Sequence, residues 1–168
     1  RRPKLYPNQY VMLVSSSNEK KTALARFANY ESPLLNVLNH KKGLWGVKAR
    51  NKEQAFALDL LTNPDIPVVS LIGKAGSGKT LCAIAAGLAQ VMPADQGKEA
   101  LYKRLIVSRP VQPLGKDIGF LPGTMQEKMM PWLLPIQDNL EFILGNKQMF
   151  KSYLEKGTIE IEALTYIR

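Results

Sequence analysis

The chain has a single cysteine, Cys82, and a single histidine, His40. One thiol cannot build a disulfide framework, which suits a reducing compartment. One Cys and one His cannot furnish the tetrahedral ligand set of a zinc site. Long apolar runs are also missing. No stretch approaches the roughly 20 residues that span a bilayer, and no signal-peptide pattern opens the chain. These absences exclude a disulfide scaffold, a zinc module and a helical membrane protein, and the expected location is the cytoplasm. Acidic residues are scarce in one region only. Residues 1–52 hold eleven Lys and Arg against Glu19 and Glu31, whereas the rest of the chain holds twelve of each sign. The whole formal charge of +9 therefore sits in the first third. Clustered cations suit a polyanion such as nucleic acid through counterion release, and they equally suit a solvated linker.

What remains is enough for a core: 168 residues, 45% of them hydrophobic, make one ordinary domain with or without a small appendage. The chain starts at Arg1 and ends on Thr165-Tyr166-Ile167-Arg168 without a turn or polar tail, so it reads as a piece of a longer protein. Its opening third suggests short β pieces. Tyr10–Val14 is β-prone, Ser15–Asn18 is turn chemistry, and Thr22–Phe27 alternates with period two as a hairpin partner would. Leu44–Val47 is a further short strand on this pattern. A helix is expected from Asn51 to Leu61, stopped by Asn63-Pro64, with Asn51 as N-cap and Gln54 at the capping-box spacing. Pro67–Ile72 is a continuous apolar run, as in a strand buried on both faces of a parallel sheet. A helix rich in small residues follows from Lys79 to about Met92, then a loop at Asp95–Lys98 and a buried strand at Arg104–Ser108. Strand, helix and strand in that order make the βαβ unit of an α/β fold. Arg109–Gly123, with three prolines and three glycines, is a long shaped loop. Beyond it a helix from about Trp132 puts Trp132, Ile136, Leu140, Ile143 and Leu144 on one face, and Gly157–Ala163 reads as a last strand.

The most specific signal is Gly73-Lys74-Ala75-Gly76-Ser77-Gly78-Lys79-Thr80, lying between an apolar run and a helix. Its glycines let successive backbone N–H groups converge on phosphate oxygens, and the helix N-terminus adds its positive dipole end. Lys79 neutralises phosphate charge and the Thr80 hydroxyl is the expected Mg2+ ligand, which makes these two the candidate catalytic residues. Gln54 supports two readings. It either reaches back to the Asn51 backbone as a capping residue or pairs with adenine N6 and N7. Cys82 reads as a packed core thiol, and His40, beside Lys41 and Lys42, as a surface residue. A second acid to order metal and water is not found. Asp59 lies on the helix before the loop, Arg104–Ser108 runs into Arg109-Pro110 without a carboxylate, and Glu160 and Glu162 share one face of the last strand.

Arg50–Ala55, Gly73–Thr80, Val107-Ser108-Arg109-Pro110 and Gly119-Phe120-Leu121-Pro122-Gly123, in that order, resemble the PhoH family of ATPases from about residue 45 onward. The resemblance implies a RecA-like P-loop NTPase core of α/β class, with an incomplete parallel sheet, over residues 49–168. Residues 1–48 would be the small, basic, β-rich connecting segment of members that carry an N-terminal PIN nuclease domain. It further implies ATP and Mg2+ as cofactors, hydrolysis coupled to RNA unwinding or decay, and a homo-oligomeric ring, a hexamer. By this resemblance Gln54 leans towards adenine, and Arg109–Gly123 would face nucleic acid or a neighbouring subunit. The family's Asp-Glu pair and arginine-bearing segment follow the last strand. Nucleotide binding is thus expected of this chain and hydrolysis of the full-length protein. Two other expectations stand beside it: a nucleotide-binding switch without motor activity, and a small-molecule phosphotransferase, which is weakened because no lid or acceptor motif follows the loop.

Overall fold

Two strands joined by a serine-rich turn begin the computed structural model, which describes residues 4–31, 35–37, 43–93, 99–109 and 125–163. Strands β1 (Gln9–Val14) and β2 (Thr22–Phe27) pair antiparallel from Gln9↔Phe27 to Val14↔Thr22, and β3 (Leu35–Val37) adds to β2 as a third strand. The turn between them is set locally: Asn18 Oδ1 accepts from Lys20 N at 3.0 Å, the side-chain-to-backbone bond that favours Asn in turns. Helix α1 (Lys52–Leu61) starts at its expected cap, where Asn51 Oδ1 accepts from Gln54 N at 2.8 Å. At its far end the Thr62 hydroxyl donates to Leu58 O at 2.7 Å, ahead of Pro64. The tyrosine of β1 meets this helix. Tyr10 stacks on Phe56 with ring centroids 4.3 Å apart, and its hydroxyl donates to Asp59 Oδ2 at 2.6 Å. Arg26 of β2 donates to the same oxygen through Nε at 2.9 Å. All of this lies in one of two compact units, comprising Arg1–Gly43 and Lys48–Ser77.

The other unit comprises Leu44–Val47 and Gly78–Arg168. It holds α2 (Lys79–Val91), β4 (Leu105–Arg109), α3 (Met125–Leu144), α4 (Lys147–Glu155) and β5 (Ile159–Ala163). Strands β4 and β5 are parallel, in register from Leu105↔Ile159 to Arg109↔Ala163, a pairing that needs the helical crossover between them. Ile84, Ala85 and Leu88 of α2, Ile136, Leu140, Ile143 and Leu144 of α3, Phe150 of α4 and Ile159 of β5 form one apolar core. The α3 set recurs at i, i+4, i+7 and i+8, the stripe of a core-facing helix. Gly87 lets α2 approach β4 closely, since a Cβ there would lie 2.7 Å from Leu105 Cδ1. The α/β class holds, with the parallel pair and its crossover helices as the part of the P-loop core present among the described residues.

Four expectations change. Pro67–Ile72 is not a strand: it belongs to no ladder, and Val68 and Ile72 are 83% and 95% exposed. An apolar run states a tendency to be buried, but only a neighbouring strand can supply the ladder, and none does so among the described residues. Leu44–Val47 is a tight turn in place of a strand, with positive φ at Trp45 (48°) and Gly46 (79°) and paired backbone bonds between Leu44 and Val47. Trp45 Nε1 fastens it by donating to Met92 O at 3.1 Å. Helix α3 begins at Met125, ahead of Pro131, although a proline ordinarily marks a helix start. Helix α4 was not expected at all. Gly145 with φ 69° ends α3, and Asn146 caps the new helix through Gln148 N at 2.7 Å. The expected loop at Asp95–Lys98 lies outside the described residues.

Candidate nucleotide site

The division between the compact units falls inside the glycine-rich motif, after Ser77, so its two parts are described in turn. Lys74–Ser77 forms a turn in which Ser77 N donates to Lys74 O at 3.4 Å, and Gly76 takes a left-handed φ of 76°. A side chain at Gly76 would meet nothing within 4 Å, so the backbone conformation, not crowding, calls for glycine there. Residues Gly73 to Ser77 are all solvent-exposed. In the second part, Gly78 is the N-cap of α2 with φ 84° and offers the helix no side-chain cap. No acidic residue occupies the first turn of α2, so no carboxylate within the helix offsets its positive end. The first N–H groups of a helix have no partner in its own ladder, and here they begin directly after the loop. Lys79 is half-buried and Thr80 exposed in that first turn. A left-handed glycine in the first part, and in the second a helix start without a side-chain cap and a Lys-Thr pair, are each suited to phosphate oxygens. The Thr80 hydroxyl is an oxygen that the first turn of α2 could offer a Mg2+ ion, and among the described residues no cluster of three or more His, Cys, Asp or Glu could hold a metal. A hard cation of this kind takes oxygen ligands and draws several of them from substrate phosphates.

Beyond the helix ladder, the N–H and side chain of Gln54 make these hydrogen bonds. Its backbone N–H donates to Asn51 Oδ1, its side-chain Oε1 accepts from Arg50 N at 2.8 Å, and its Nε2 donates to Ser77 O at 3.1 Å. The reciprocal cap thus reaches Arg50 and not Asn51, one residue earlier than the spacing suggests. The bond to Ser77 brings Gln54 to the glycine-rich loop itself. No sequence signal announces it, because the partners lie 23 residues apart and the acceptor is a main-chain carbonyl.

Other candidates have structural partners. Asp59, weighed above as an acid, is the shared acceptor of Tyr10 and Arg26. Burial, and then the Asp59 carboxylate, push the Tyr10 phenol well above its ordinary range, so it stays a neutral donor. Glu160 accepts from Arg104 Nη1 at 2.9 Å on the outer face of the β4–β5 pair. Cys82 is buried, and burial raises its thiol pKa, as befits a packed and unreactive sulfur. The Ser108 hydroxyl near the carboxyl end of β4 is buried without a hydrogen-bond partner among the described residues. His40 and residues 110–123 of the shaped loop lie outside the described residues. No described helix is long and apolar enough to cross a membrane.

The family described as PhoH-like protein matches residues 46–168. The chain is 43% identical over 166 residues to "Protein PhoH2" of Bacillus subtilis, covering 97% of this chain and 36% of that protein. It is 37% identical over 135 residues to "Protein PhoH2" of Thermobispora bispora, covering 80% of this chain and 30% of that one. A "PhoH-like protein" of Mycobacterium tuberculosis is 31% identical over 167 residues, which are 99% of this chain and 42% of the relative. The chain therefore spans between 30% and 42% of the length of these curated relatives. No solved structure matches it.

Proposed function

The chain belongs to the PhoH-like family of nucleotide-binding, ATPase-type P-loop proteins, and from that premise we propose that it is the ATP-binding part of an ATPase coupling hydrolysis to RNA unwinding or decay. The observation that carries this is the run from Gly73 to Thr80: left-handed glycines leading directly into a helix whose N-cap glycine offers no side-chain cap and whose first turn holds no acid. Backbone N–H groups of the loop and the α2 N-terminus bind the phosphates, Lys79 offsets their charge, and the Thr80 hydroxyl would hold a Mg2+ ion. When bound, the metal supplies charge neutralisation at the transferred phosphoryl group. Residues 1–48 act as a basic connecting segment that guides the nucleic acid, and 49–168 as the N-terminal part of the ATPase domain. The working assembly is a cytoplasmic homo-oligomeric ring, a hexamer. In the full-length protein, Lys79→Ala abolishes ATP binding by equilibrium titration, and unchanged affinity overturns the site. RNA raises ATP turnover and binds with a steep salt dependence. Turnover indifferent to RNA, with no salt-sensitive binding, overturns the coupling.

One observation favours a second reading, a nucleotide-binding switch without motor activity. Strand β4 runs out through Ser108 and Arg109 with no carboxylate, and Glu160 is engaged by Arg104. ATP bound without turnover by the full-length protein is the result that selects it.

A further inference from the structure

The bond from Gln54 to Ser77 does more than a helix cap requires. Capping of α1 needs only the Asn51 side chain and the return bond that Arg50 N–H donates to Gln54 Oε1. The other end of the amide is spent on the loop. Its partners also fix its orientation, because a donor faces Oε1 and an acceptor faces Nε2. The helix that carries Gln54 is anchored two and five residues further on, by the Tyr10–Phe56 stack and by Asp59, so the amide is delivered from a fixed support.

Ser77 stands between the two left-handed glycines of the motif, Gly76 and Gly78. Its carbonyl and the Gly78 N–H belong to one planar trans peptide, in which C=O and N–H point in opposite directions. Gripping the carbonyl from α1 therefore aims the Gly78 N–H the opposite way. This plane turns about Ser77 ψ and Gly78 φ, and the glycine on its far side would otherwise let it rotate at little steric cost. A loop held in one orientation avoids paying ordering entropy when a ligand arrives.

We propose that Gln54 is a positioning residue for the phosphate loop, which it pre-orders through the Ser77 carbonyl, and that its contribution to affinity is independent of the nucleotide base. This rests on the reading that Gly73–Thr80 cradles a triphosphate. It predicts that Gln54 matters equally for ligands with adenine, with guanine and with no base.

The test is done in the full-length protein with ATP, GTP and inorganic tripolyphosphate as ligands. Gln54→Met, neutral and of similar length, weakens all three by about the same factor, roughly three- to tenfold for one lost hydrogen bond. Asn51→Ala loosens the helix cap but keeps the amide, and changes them by less than about twofold. Retained tripolyphosphate affinity together with a lost preference for ATP over GTP makes Gln54 an adenine reader and overturns the proposal. Equal losses in Gln54→Met and Asn51→Ala overturn it too, as does no loss in either. A measurement on the unaltered protein keeps the matter decidable if the variants unfold: the Gln54 side-chain amide resonance shifts on adding tripolyphosphate alone, and an unmoved signal overturns the proposal. Lys79→Ala separates the two levels, for tripolyphosphate bound undiminished by that variant removes the phosphate-loop reading whatever Gln54 does.

Discussion

Different forces hold each of the two compact units together internally. Where the three-stranded sheet meets α1, an aromatic stack and one carboxylate shared by Tyr10 and Arg26 make the contact, and among the described residues this unit buries only the apolar Ala25, Phe27 and Ala55. In the other unit α2, α3, α4 and the parallel strands bury a continuous apolar cluster that contains no polar side chain. Apolar burial is strong and non-directional, scaling with area removed from water. Shared hydrogen bonds to a charge contribute less on balance but fix orientation. The second unit has the mass of a core. The first has the geometry of a mount, and that mount carries Gln54 to the loop.

Core truncation in the second unit should have the largest effect. Leu88→Ala, at a fully buried side chain, costs about 2–5 kcal/mol in a denaturant titration. A loss under about 1 kcal/mol would mean that the site collapses freely and the core is not tightly packed. Asp59→Ala comes next. It leaves the Tyr10 and Arg26 donors without their acceptor, at a place where the Arg26 and Asp59 side chains are only 13% and 29% exposed. About 1–2 kcal/mol is expected, at the low end for a charged bond because water reaches the site. Asp59→Asn retains an acceptor and should recover part of the loss.

Alkali probes the same mount without mutation. The Tyr10 phenol is raised above its unfolded value of about 10, so above that pH the unfolded chain has lost a proton that the folded chain keeps. Stability contributed by this group is complete below about pH 10 and declines as pH rises beyond it. Tyr10→Phe should flatten that alkaline decline in unfolding free energy against pH. The smallest effect belongs to Ile72→Thr, within about 0.5 kcal/mol, because the side chain is exposed. A cost of about 2 kcal/mol would show that Pro67–Ile72 is covered after all, and would shift the contrast between the units.

Local signals were legible where their physics is local. The β1–β2 hairpin follows from alternation around a serine-rich turn, α1 from Asn51, and α2 from the glycine-rich loop that precedes it. The α3 stripe of Ile136, Leu140, Ile143 and Leu144 is buried as its spacing implies. Helix α4 could have been found from Gly145-Asn146, a C-terminal glycine followed by an N-cap, and from Phe150, Tyr153 and Leu154 at helical spacing. Pro67–Ile72 misled because apolar content does not name a partner.

The sequence by itself determined the glycine-rich motif ahead of α2, the asymmetric charge and the family, since each resides in contiguous residue types and their order. Tertiary structure alone decided that Asp59 fastens a sheet in place of serving as an acid, that Glu160 pairs with Arg104, and that Gln54 reaches the Ser77 carbonyl. These are bonds between residues distant along the chain, and one acceptor is a backbone atom common to every residue type. Such bonds exist only once folding has brought the partners within about 3 Å of each other, so no residue pattern can encode them in advance.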